Sequence, residues 1–237
     1  MPKLRRTTKL HYGKYLYKAT FVNTLAFCFA SFRNSKSDKL SGVKLIISDL
    51  QLQYDLNKAM EVDLWRTSKS VSVTEFLEAK QMLKLLENSS DWRIRVELGR
   101  HLTVYTSNET LIDELSKDCG AREIYKPEEG TENFLLLNID TAIVNKPPEY
   151  EYRVYLKGNE IDPNFAKWFE ANRDKSRIGE WTLKNIQSGY YTGGNYFYIK
   201  NDKVLTMIRM IIGHNIRHVE KLIYKGDIDK YKYGDDK

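Results

Sequence analysis

Cysteine is scarce in this sequence, and long apolar runs are absent. The chain has 237 residues but only two cysteines, Cys28 and Cys119. Two cysteines are too few for a disulfide framework or a cysteine-based metal site, so we interpret both as buried thiols in a reducing compartment. The longest apolar run, Leu25 to Phe32, is far shorter than the roughly 18 residues of a membrane helix, and no secretory signal follows the basic N-terminus. We therefore expect a cytoplasmic protein without a membrane partner.

The known signatures of catalytic and cofactor sites are also missing. The sequence contains no Walker loop, dinucleotide fingerprint, nucleophile elbow or kinase motif. Its scattered aspartates fit helix caps and turns better than a paired-carboxylate site. We therefore expect no cofactor and no metal, and a non-catalytic protein is favoured over an enzyme.

The histidines provide only partial motifs. His101-Leu102-Thr103 resembles half of the paired His-x-Thr/Ser signature of two-histidine phosphodiesterases, whose chemistry needs a second such histidine as the acid. His214 and His218 have the spacing of metal ligands on one helical face, but Gly213 is expected to end the helix before them. We expect these two in a surface loop, where His218 and Arg217 could contact phosphate.

Positive charge is concentrated at the two ends of the chain. The net charge is +6: residues 1–40 carry nine Lys/Arg and one acid (+8), residues 41–149 carry thirteen and nineteen (−6), and residues 150–237 carry sixteen and twelve (+4). A basic arm at the N-terminus favours an anionic partner, such as nucleic acid, an acidic protein surface or a neighbouring subunit. A solubilising tail is the alternative.

Hydrophobic periodicity predicts an α+β fold in two parts. Alternating apolar residues predict a strand from Leu10 to Val22 and a hairpin from Trp92 to Thr106, with helices between them. Phe134 to Ile139 is expected to be a strand. Lys146-Pro147-Pro148 is typical of a stiff link, so we place the domain boundary there. The predicted parts are a flexible basic arm (1–9), an N-terminal α+β domain with a helical insertion (10–145), a C-terminal ferredoxin-like domain (146–226) and a polar tail (227–237).

The C-terminal domain is predicted to be one split βαβ unit of the ferredoxin-like kind. Strands are expected near 152–157, 196–200 and 219–224, and helices near 163–172 and 203–212. The segment from Ile178 to Ile186 fits either a strand or a helix, so the second strand stays open.

A similar plan recurs in the N-terminal domain. Each copy reads as a strand, an Asn or Asp cap, a short helix, a glycine stop and a strand ending in Ile-Tyr-Lys, at residues 124–126 and 223–225. We interpret the chain as two ferredoxin-like (βαββαβ) units, a degenerate duplication with extra helices inserted in the first.

The C-terminal domain resembles an RNA recognition motif on two predicted strands. Val154 to Lys157 lies on the first strand, and Tyr196 to Lys200 lies on the third. The resemblance implies that these strands are central and that bases stack on their exposed aromatic residues, which would be Tyr155 with either Tyr196 and Tyr198, or Phe197. The basic-Gly-aromatic-Gly start of the family's third-strand motif is absent here. Alternating tyrosines also fit an ordinary half-buried strand.

We predict a non-catalytic nucleic-acid-binding or assembly protein that uses a basic arm and an aromatic sheet face, with single-stranded RNA or DNA, or protein subunits, as partners. The first alternative is a structural subunit of a larger assembly, and the second is a nuclease or phosphodiesterase acting through His101. The Lys-, Asn- and aromatic-rich composition resembles that of small viral or phage proteins, which would place the chain in a virion or host cytoplasm. The candidate nucleic-acid-binding residues are Arg5, Arg6, Lys9, Arg153, Tyr155, Lys157, Tyr196, Tyr198, Lys200 and Arg217.

Overall fold

A computed structural model describes the chain over residues 2–30, 40–64, 67–158, 161–190 and 192–232. The described residues form a mixed α+β fold that divides into unit 1 (Met1–Glu132) and unit 2 (Asn133–Lys237). Each unit contains a five-stranded sheet with helices. Within the described ranges, no helix has the length and apolarity that a membrane span requires.

The first sheet of unit 1 has the strand order β1-β7-β2-β6-β5, and a separate hairpin pairs β3 with β4. Strand β1 runs parallel to β7, and the other neighbours in the five-stranded sheet are antiparallel. The strands are β1 (Lys3–Thr7), β2 (Tyr17–Val22), β3 (Glu61–Leu64), β4 (Thr67–Ser70), β5 (Trp92–Glu97), β6 (His101–Thr106) and β7 (Glu123–Pro127). The helices are α1 (Ser41–Asp55), α2 (Val73–Glu87) and α3 (Glu109–Asp118), and a 3-10 helix covers Thr24–Phe29.

Local hydrogen bonds explain where these helices begin. The Ser72 hydroxyl accepts from the Glu75 N–H, and the Glu75 carboxylate accepts from the Ser72 N–H, which is the capping box that the sequence predicts at the start of α2. The Asn108 side chain accepts from the Leu111 N–H at the start of α3. The core of the unit is formed by alternate strand residues and by the apolar helix faces, including Phe21, Phe76, Leu102 and Ile112.

The sheet of unit 2 has the order β8-β12-β9-β11-β10, with β8 parallel to β12 and the other neighbours antiparallel. Taken in sequence order, the strands of the two five-stranded sheets therefore have the same arrangement and the same directions. The strands are β8 (Thr141–Val144), β9 (Tyr152–Leu156), β10 (Ser176–Ile178), β11 (Tyr196–Ile199) and β12 (Ile216–Tyr224). The helices are α4 (Glu132–Leu137), α5 (Asn164–Ala171), α6 (Glu180–Gln187), α7 (Asp202–Ile212) and α8 (Ile228–Lys232).

One face of this second sheet packs against helices. Val154, Phe197 and Ile199 point to that side, where they join a buried cluster with Phe165 of α5 and Ile208 of α7. Since side chains alternate along a strand, the residues between them lie on the opposite, open face.

The N-terminal segment is a strand, not the flexible arm that its charge predicts for residues 1–9. Residues Lys3–Thr7 pair in parallel with Glu123–Pro127. The first four side chains of β1 are exposed and the pairing is made by backbone groups. Composition therefore carried no signal for this strand.

The division between the units also differs from the boundary predicted at the double proline. Strand β8 pairs with β12, so Lys146-Pro147-Pro148 connects two strands inside unit 2. The expected strand from Phe134 to Ile139 is largely helix α4, in which Phe134 and Leu135 are both buried.

The structure assigns secondary structure to two segments that the sequence left open or predicted to be a polar tail. Residues Ile178 to Ile186 contain the end of β10 and most of α6, so both alternatives were partly right. The predicted polar tail begins with a 3-10 turn and helix α8, whose Ile228 is buried. Its last residues, 233–237, lie outside the described ranges.

Candidate nucleic-acid interface

Four of the predicted binding residues lie together on the open face of the unit 2 sheet. Arg153 and Tyr155 alternate with core residues on β9, and Tyr196 and Tyr198 do so on β11. Phe197 is fully buried in the core, so the alternative in which Phe197 stacks on bases is wrong. Strands β9 and β11 are direct neighbours in the middle of the sheet.

An aromatic row, consisting of Tyr196, Tyr155 and His218, crosses three strands of this face. Tyr196 lies opposite Tyr155, and Tyr155 lies opposite His218. The ring centroids of Tyr196 and Tyr155 are 5.5 Å apart, and those of Tyr155 and His218 are 4.2 Å apart with planes only 9° from parallel. Tyr196 is 41% exposed, so the row ends in an accessible ring.

A charged row lies beside the aromatic row, in the next register position of the same face. It consists of Arg177, Tyr198, Arg153 and Glu220. The Arg153 guanidinium donates to Glu220 Oε2 through Nε at 3.0 Å and Nη2 at 2.6 Å. Burial lowers the pKa of Arg153, but the Glu220 carboxylate and nearby tyrosines outweigh it, so this pKa lies above its usual value. Burial, together with Tyr196, also raises the pKa of Tyr198, which keeps this phenol neutral.

A cavity of about 670 Å³ opens at the outer end of the charged row, and its walls include Tyr150, Arg177, Asn195, Tyr196 and Tyr198. The Tyr150 ring is tilted by 38° against Tyr198 at 6.3 Å. The Arg177 side chain lies in this wall and acts electrostatically on Tyr150, while the buried Asn195 Nδ2 atom has no hydrogen-bond acceptor among the described residues. The cavity therefore presents stacking surfaces together with the Arg177 guanidinium.

On the face of the unit 1 sheet that its helices do not cover, a row of residues occupies the register position that matches the charged row of unit 2. A loop of the same chain covers part of this row. Arg93, Tyr105, Lys18, Tyr125 and Arg5 lie opposite one another across all five strands, with cations and tyrosines alternating. The Lys18 ammonium lies 4.3 Å from the centroid of the Tyr125 ring, which is a cation–π contact.

A segment of the same chain covers this row. Residues 8–16 turn back over the sheet through an isolated bridge between His11 and Tyr15, with Tyr12 at a φ of 56°. The Tyr12 ring meets Tyr105 edge to face at 4.9 Å, and the Arg93 guanidinium lies 3.9 Å from the Tyr12 centroid. The pair formed by Arg93 and Tyr105 thus holds a planar aromatic ring.

His11, a residue of this segment, is partly buried between the segment and the sheet. Its ring lies 5.5 Å from Tyr105, and its Nε2 atom has no hydrogen-bond partner. Burial, assisted by Lys18 and Lys9, lowers the pKa of His11 to about 4. Burial and Tyr12 raise the pKa of Tyr105 to about 12, so both groups are neutral near pH 7.

The two rows share a local sequence pattern as well as a register. Tyr15-Leu16-Tyr17-Lys18 in unit 1 corresponds to Tyr150-Glu151-Tyr152-Arg153 in unit 2. Tyr15 is tilted by 36° against Tyr105 at 6.5 Å, nearly the geometry of Tyr150 against Tyr198.

The Ile-Tyr-Lys segments that suggested the repeat do not coincide in this register. Tyr125 lies opposite Lys18, whereas the residue opposite Arg153 is Glu220. Tyr224 instead pairs with Val144 on the parallel edge strand.

Two of the three predicted basic residues at the N-terminus, Arg5 and Arg6, belong to the sheet of unit 1. Arg5 binds Glu123 across the β1–β7 edge at 3.3 Å, and Arg6 donates to the Pro127 carbonyl at 3.4 Å. Lys9 lies between β1 and the segment that covers Tyr105.

The remaining predicted cations surround the unit 2 face without joining either row. Lys157 follows β9 and donates to the His214 carbonyl at 2.8 Å. Lys200 follows β11 and is exposed. Arg217 is an extra residue of a β-bulge in β12, where the register shifts between Ile216 and His218.

Sequence reasoning missed Arg177, Tyr150 and Glu220, and it placed His218 in a surface loop. His218 lies in β12, which begins earlier than predicted. The only available signal was the alternation of His218, Glu220 and Leu222 along one strand face. His101, the candidate of the phosphodiesterase alternative, begins β6 opposite Val22 and Glu97.

Among the described residues, no group of three His, Cys, Asp or Glu side chains is arranged to hold a metal ion. The two rows of the candidate interface consist of aromatic rings, guanidinium groups and the Glu220 carboxylate. Comparisons with protein-family models, with curated proteins and with solved structures find no match to this chain.

Proposed function

We propose that this protein binds single-stranded nucleic acid on the open face of unit 2, with one base held between Arg177 and Tyr198. One observation carries the proposal. The equivalent pair in unit 1, Arg93 and Tyr105, holds the Tyr12 ring, whereas Arg177 and Tyr198 line a cavity that none of the described segments of unit 2 fills. A nucleobase is a planar aromatic group of the kind that such a pair accepts.

The chemistry of the face supports this ligand. Tyrosine rings provide stacking surfaces for bases of any sequence, and arginine adds stacking and charge. A cavity of about 670 Å³ is within the range of roughly 300–1,000 Å³ that is usual for small-ligand sites. Unit 2 carries seventeen Lys/Arg and fourteen Asp/Glu, a net charge of +3, which favours an anionic chain.

We also infer that both units are ferredoxin-like and arose by duplication. The shared strand order of the two sheets supports this inference, and so does the Tyr-x-Tyr-basic pattern that places Lys18 and Arg153 at one register position. In this view the face of the first unit came to bind its own chain. The buried, unpaired thiols of Cys28 and Cys119 support a reducing, intracellular compartment.

Fluorescence anisotropy with short labelled single-stranded RNA and DNA tests the proposal. Tyr198→Ala should raise the Kd by about tenfold or more, because a stacked base contributes about 1–3 kcal/mol. Tyr190→Ala is the matched control, since Tyr190 is 66% exposed and lies outside the cavity walls, and it should leave the Kd unchanged. Absence of binding at low salt, or an equal loss in both variants, would contradict the proposal.

A second candidate is a structural subunit whose unit 2 cavity takes an aromatic side chain from another protein. Tyr12 favours this reading, because the ring held in unit 1 is itself a protein side chain. Mass measurement in solution separates the two candidates. Self-association that Tyr198→Ala abolishes, without nucleic-acid binding, would support the subunit.

A further inference from the structure

We propose that His218, oriented by Glu220, is a general base that cleaves bound RNA at a ribose next to the base-binding cavity. The inference rests on the proposed function and names its substrate class as RNA, since the step requires a 2′-hydroxyl group. His218 and Glu220 are not needed to explain binding in the cavity, whose walls contain neither residue.

The first argument is the contact between imidazole and carboxylate. His218 Nε2 lies 3.3 Å from Glu220 Oε1, and the side chains are 40% and 7% exposed respectively. A carboxylate that accepts from one ring nitrogen fixes the tautomer and leaves the other nitrogen as a base. Nδ1 is then the atom available for a substrate proton.

The second argument is how firmly the carboxylate is fixed. Its other oxygen, Glu220 Oε2, accepts from both Arg153 nitrogens and from the Tyr155 hydroxyl at 3.2 Å. These bonds hold Glu220 in place and leave Oε1 directed at His218. Such an orienting group behind a base is the arrangement found in acid–base and nucleophilic sites.

The third argument is the β-bulge that presents the imidazole. If the register continued regularly from Ile216, which pairs with Leu156, then Arg217 would lie opposite Tyr155; the bulge places His218 there instead. Bulges are frequent beside active sites, where they redirect a side chain. The parallel stack of His218 on Tyr155, at 4.2 Å, further limits rotation of the ring.

The position of His218 suits a neighbouring nucleotide. The aromatic row leads from Tyr196 at the cavity wall to Tyr155, 5.5 Å away, and then to His218. A strand with one base in the cavity can therefore lay its adjacent ribose along this row toward the imidazole.

The proposed step is an internal transesterification. The ribose 2′-hydroxyl gives its proton to His218 Nδ1, and the 2′-oxygen forms a bond to the adjacent phosphorus. The bond from phosphorus to the 5′-oxygen breaks, and that oxygen takes a proton from water. His218 returns its proton to solvent, so the products are a 2′,3′-cyclic phosphate and a 5′-hydroxyl, and nothing is oxidised or reduced. DNA lacks the nucleophile and should be bound without cleavage.

The experiment uses the full chain with a labelled pool of random-sequence single-stranded RNA and the matching DNA pool. The wild type should cut RNA alone and leave 2′,3′-cyclic phosphate ends. His218→Ala should reduce the cleavage rate of bound RNA by about a hundredfold, the usual contribution of a general base, and this loss should far exceed any change in RNA or DNA affinity measured on the same variant. His214→Ala, a control histidine in the turn before β12, should cut like the wild type.

The outcomes separate this inference from the proposed function. Binding of both pools without cleavage of RNA by the wild type would overturn the catalytic role alone, and so would full cleavage by His218→Ala. Failure to bind either pool would overturn the proposed function, and the catalytic role with it.

Discussion

The open face of unit 1 is covered by its own chain, whereas the open face of unit 2 carries a cavity. At one register position both faces have an arginine, a tyrosine and a second cation in the same order, which are Arg93, Tyr105 and Lys18 in one and Arg177, Tyr198 and Arg153 in the other. The occupant makes the difference, since Tyr12 fills the first pair. This comparison is the basis of our proposal that the unit 2 cavity binds a planar ring, as Arg93 and Tyr105 do in unit 1.

The largest expected effect concerns the second cation of each row. Arg153→Met should lower the free energy of unfolding by about 3–5 kcal/mol, because it leaves the buried Glu220 without its guanidinium partner. Lys18→Met is the matched change in unit 1. It should cost less than about 1 kcal/mol, since the contact of Lys18 with Tyr125 is a cation–π contact of a half-buried side chain. Urea unfolding measures the loss of stability in both variants. A larger loss for Lys18→Met than for Arg153→Met would contradict the expected difference between the two rows.

The tyrosines of the two rows should differ in what they stabilise. Tyr105 is 7% exposed and touches His11, Tyr12 and Tyr15, so Tyr105→Ala should cost about 3 kcal/mol of folding free energy. Tyr198 is only half-buried, so Tyr198→Ala should lower the folding free energy by about 1 kcal/mol or less. Its main effect should be the loss of nucleic-acid binding. Equal urea midpoints for the two variants would show that the segment over Tyr105 adds no packing.

Acid should weaken unit 1 selectively through His11. Its pKa in the folded chain is about 4, against an ordinary value of 6.5. The unfolded chain therefore binds more protons between these values, and stability is present above pH 6.5 and falls as the pH drops toward 4. The loss is on the order of 3 kcal/mol at most.

Urea unfolding of the wild type and of His11→Gln across this range measures the effect. His11→Gln should show a flatter profile than the wild type. The control, His101→Gln, should keep the wild-type slope of unfolding free energy against pH. An identical slope in all three proteins would show that His11 does not cause the loss of stability in acid.

The smallest expected effect is the gain of a second site. Tyr12→Ala removes the ring held by Arg93 and Tyr105, so the unit 1 face should bind a base weakly and the titration should show a second, lower-affinity step. Tyr12→Phe keeps the ring and should show one step, like the wild type. A single step in Tyr12→Ala would mean that the covered row is no longer able to bind.

The sequence predicted the alternating strands well because their pattern is local. Tyr196 and Tyr198 against Phe197, and Arg153 and Tyr155 against Val154, show which side chains share a face. The α+β class and the capping box at Ser72 follow from equally local signals.

Cross-strand register was not visible in the sequence, and the candidate site depends on it. Arg177 lies on a strand of only three residues, which is too short to show alternation. His218 reaches the aromatic row through a bulge, and β1 is held by backbone pairing with a strand more than a hundred residues away. The double proline, where we predicted the domain boundary, lies inside unit 2 for a similar reason, because the pairing of β8 with β12 joins the segments on its two sides.

The most direct test compares the two arginines that occupy equivalent positions. Single-stranded RNA binding is measured for Arg177→Gln and Arg93→Gln over a series of salt concentrations. Arg177→Gln should weaken binding by about tenfold and reduce the salt slope by about one, while Arg93→Gln, whose arginine already lies on Tyr12, should bind like the wild type. Equal losses in both variants, or a loss confined to Arg93→Gln, would contradict the claim that unit 2 carries the open site.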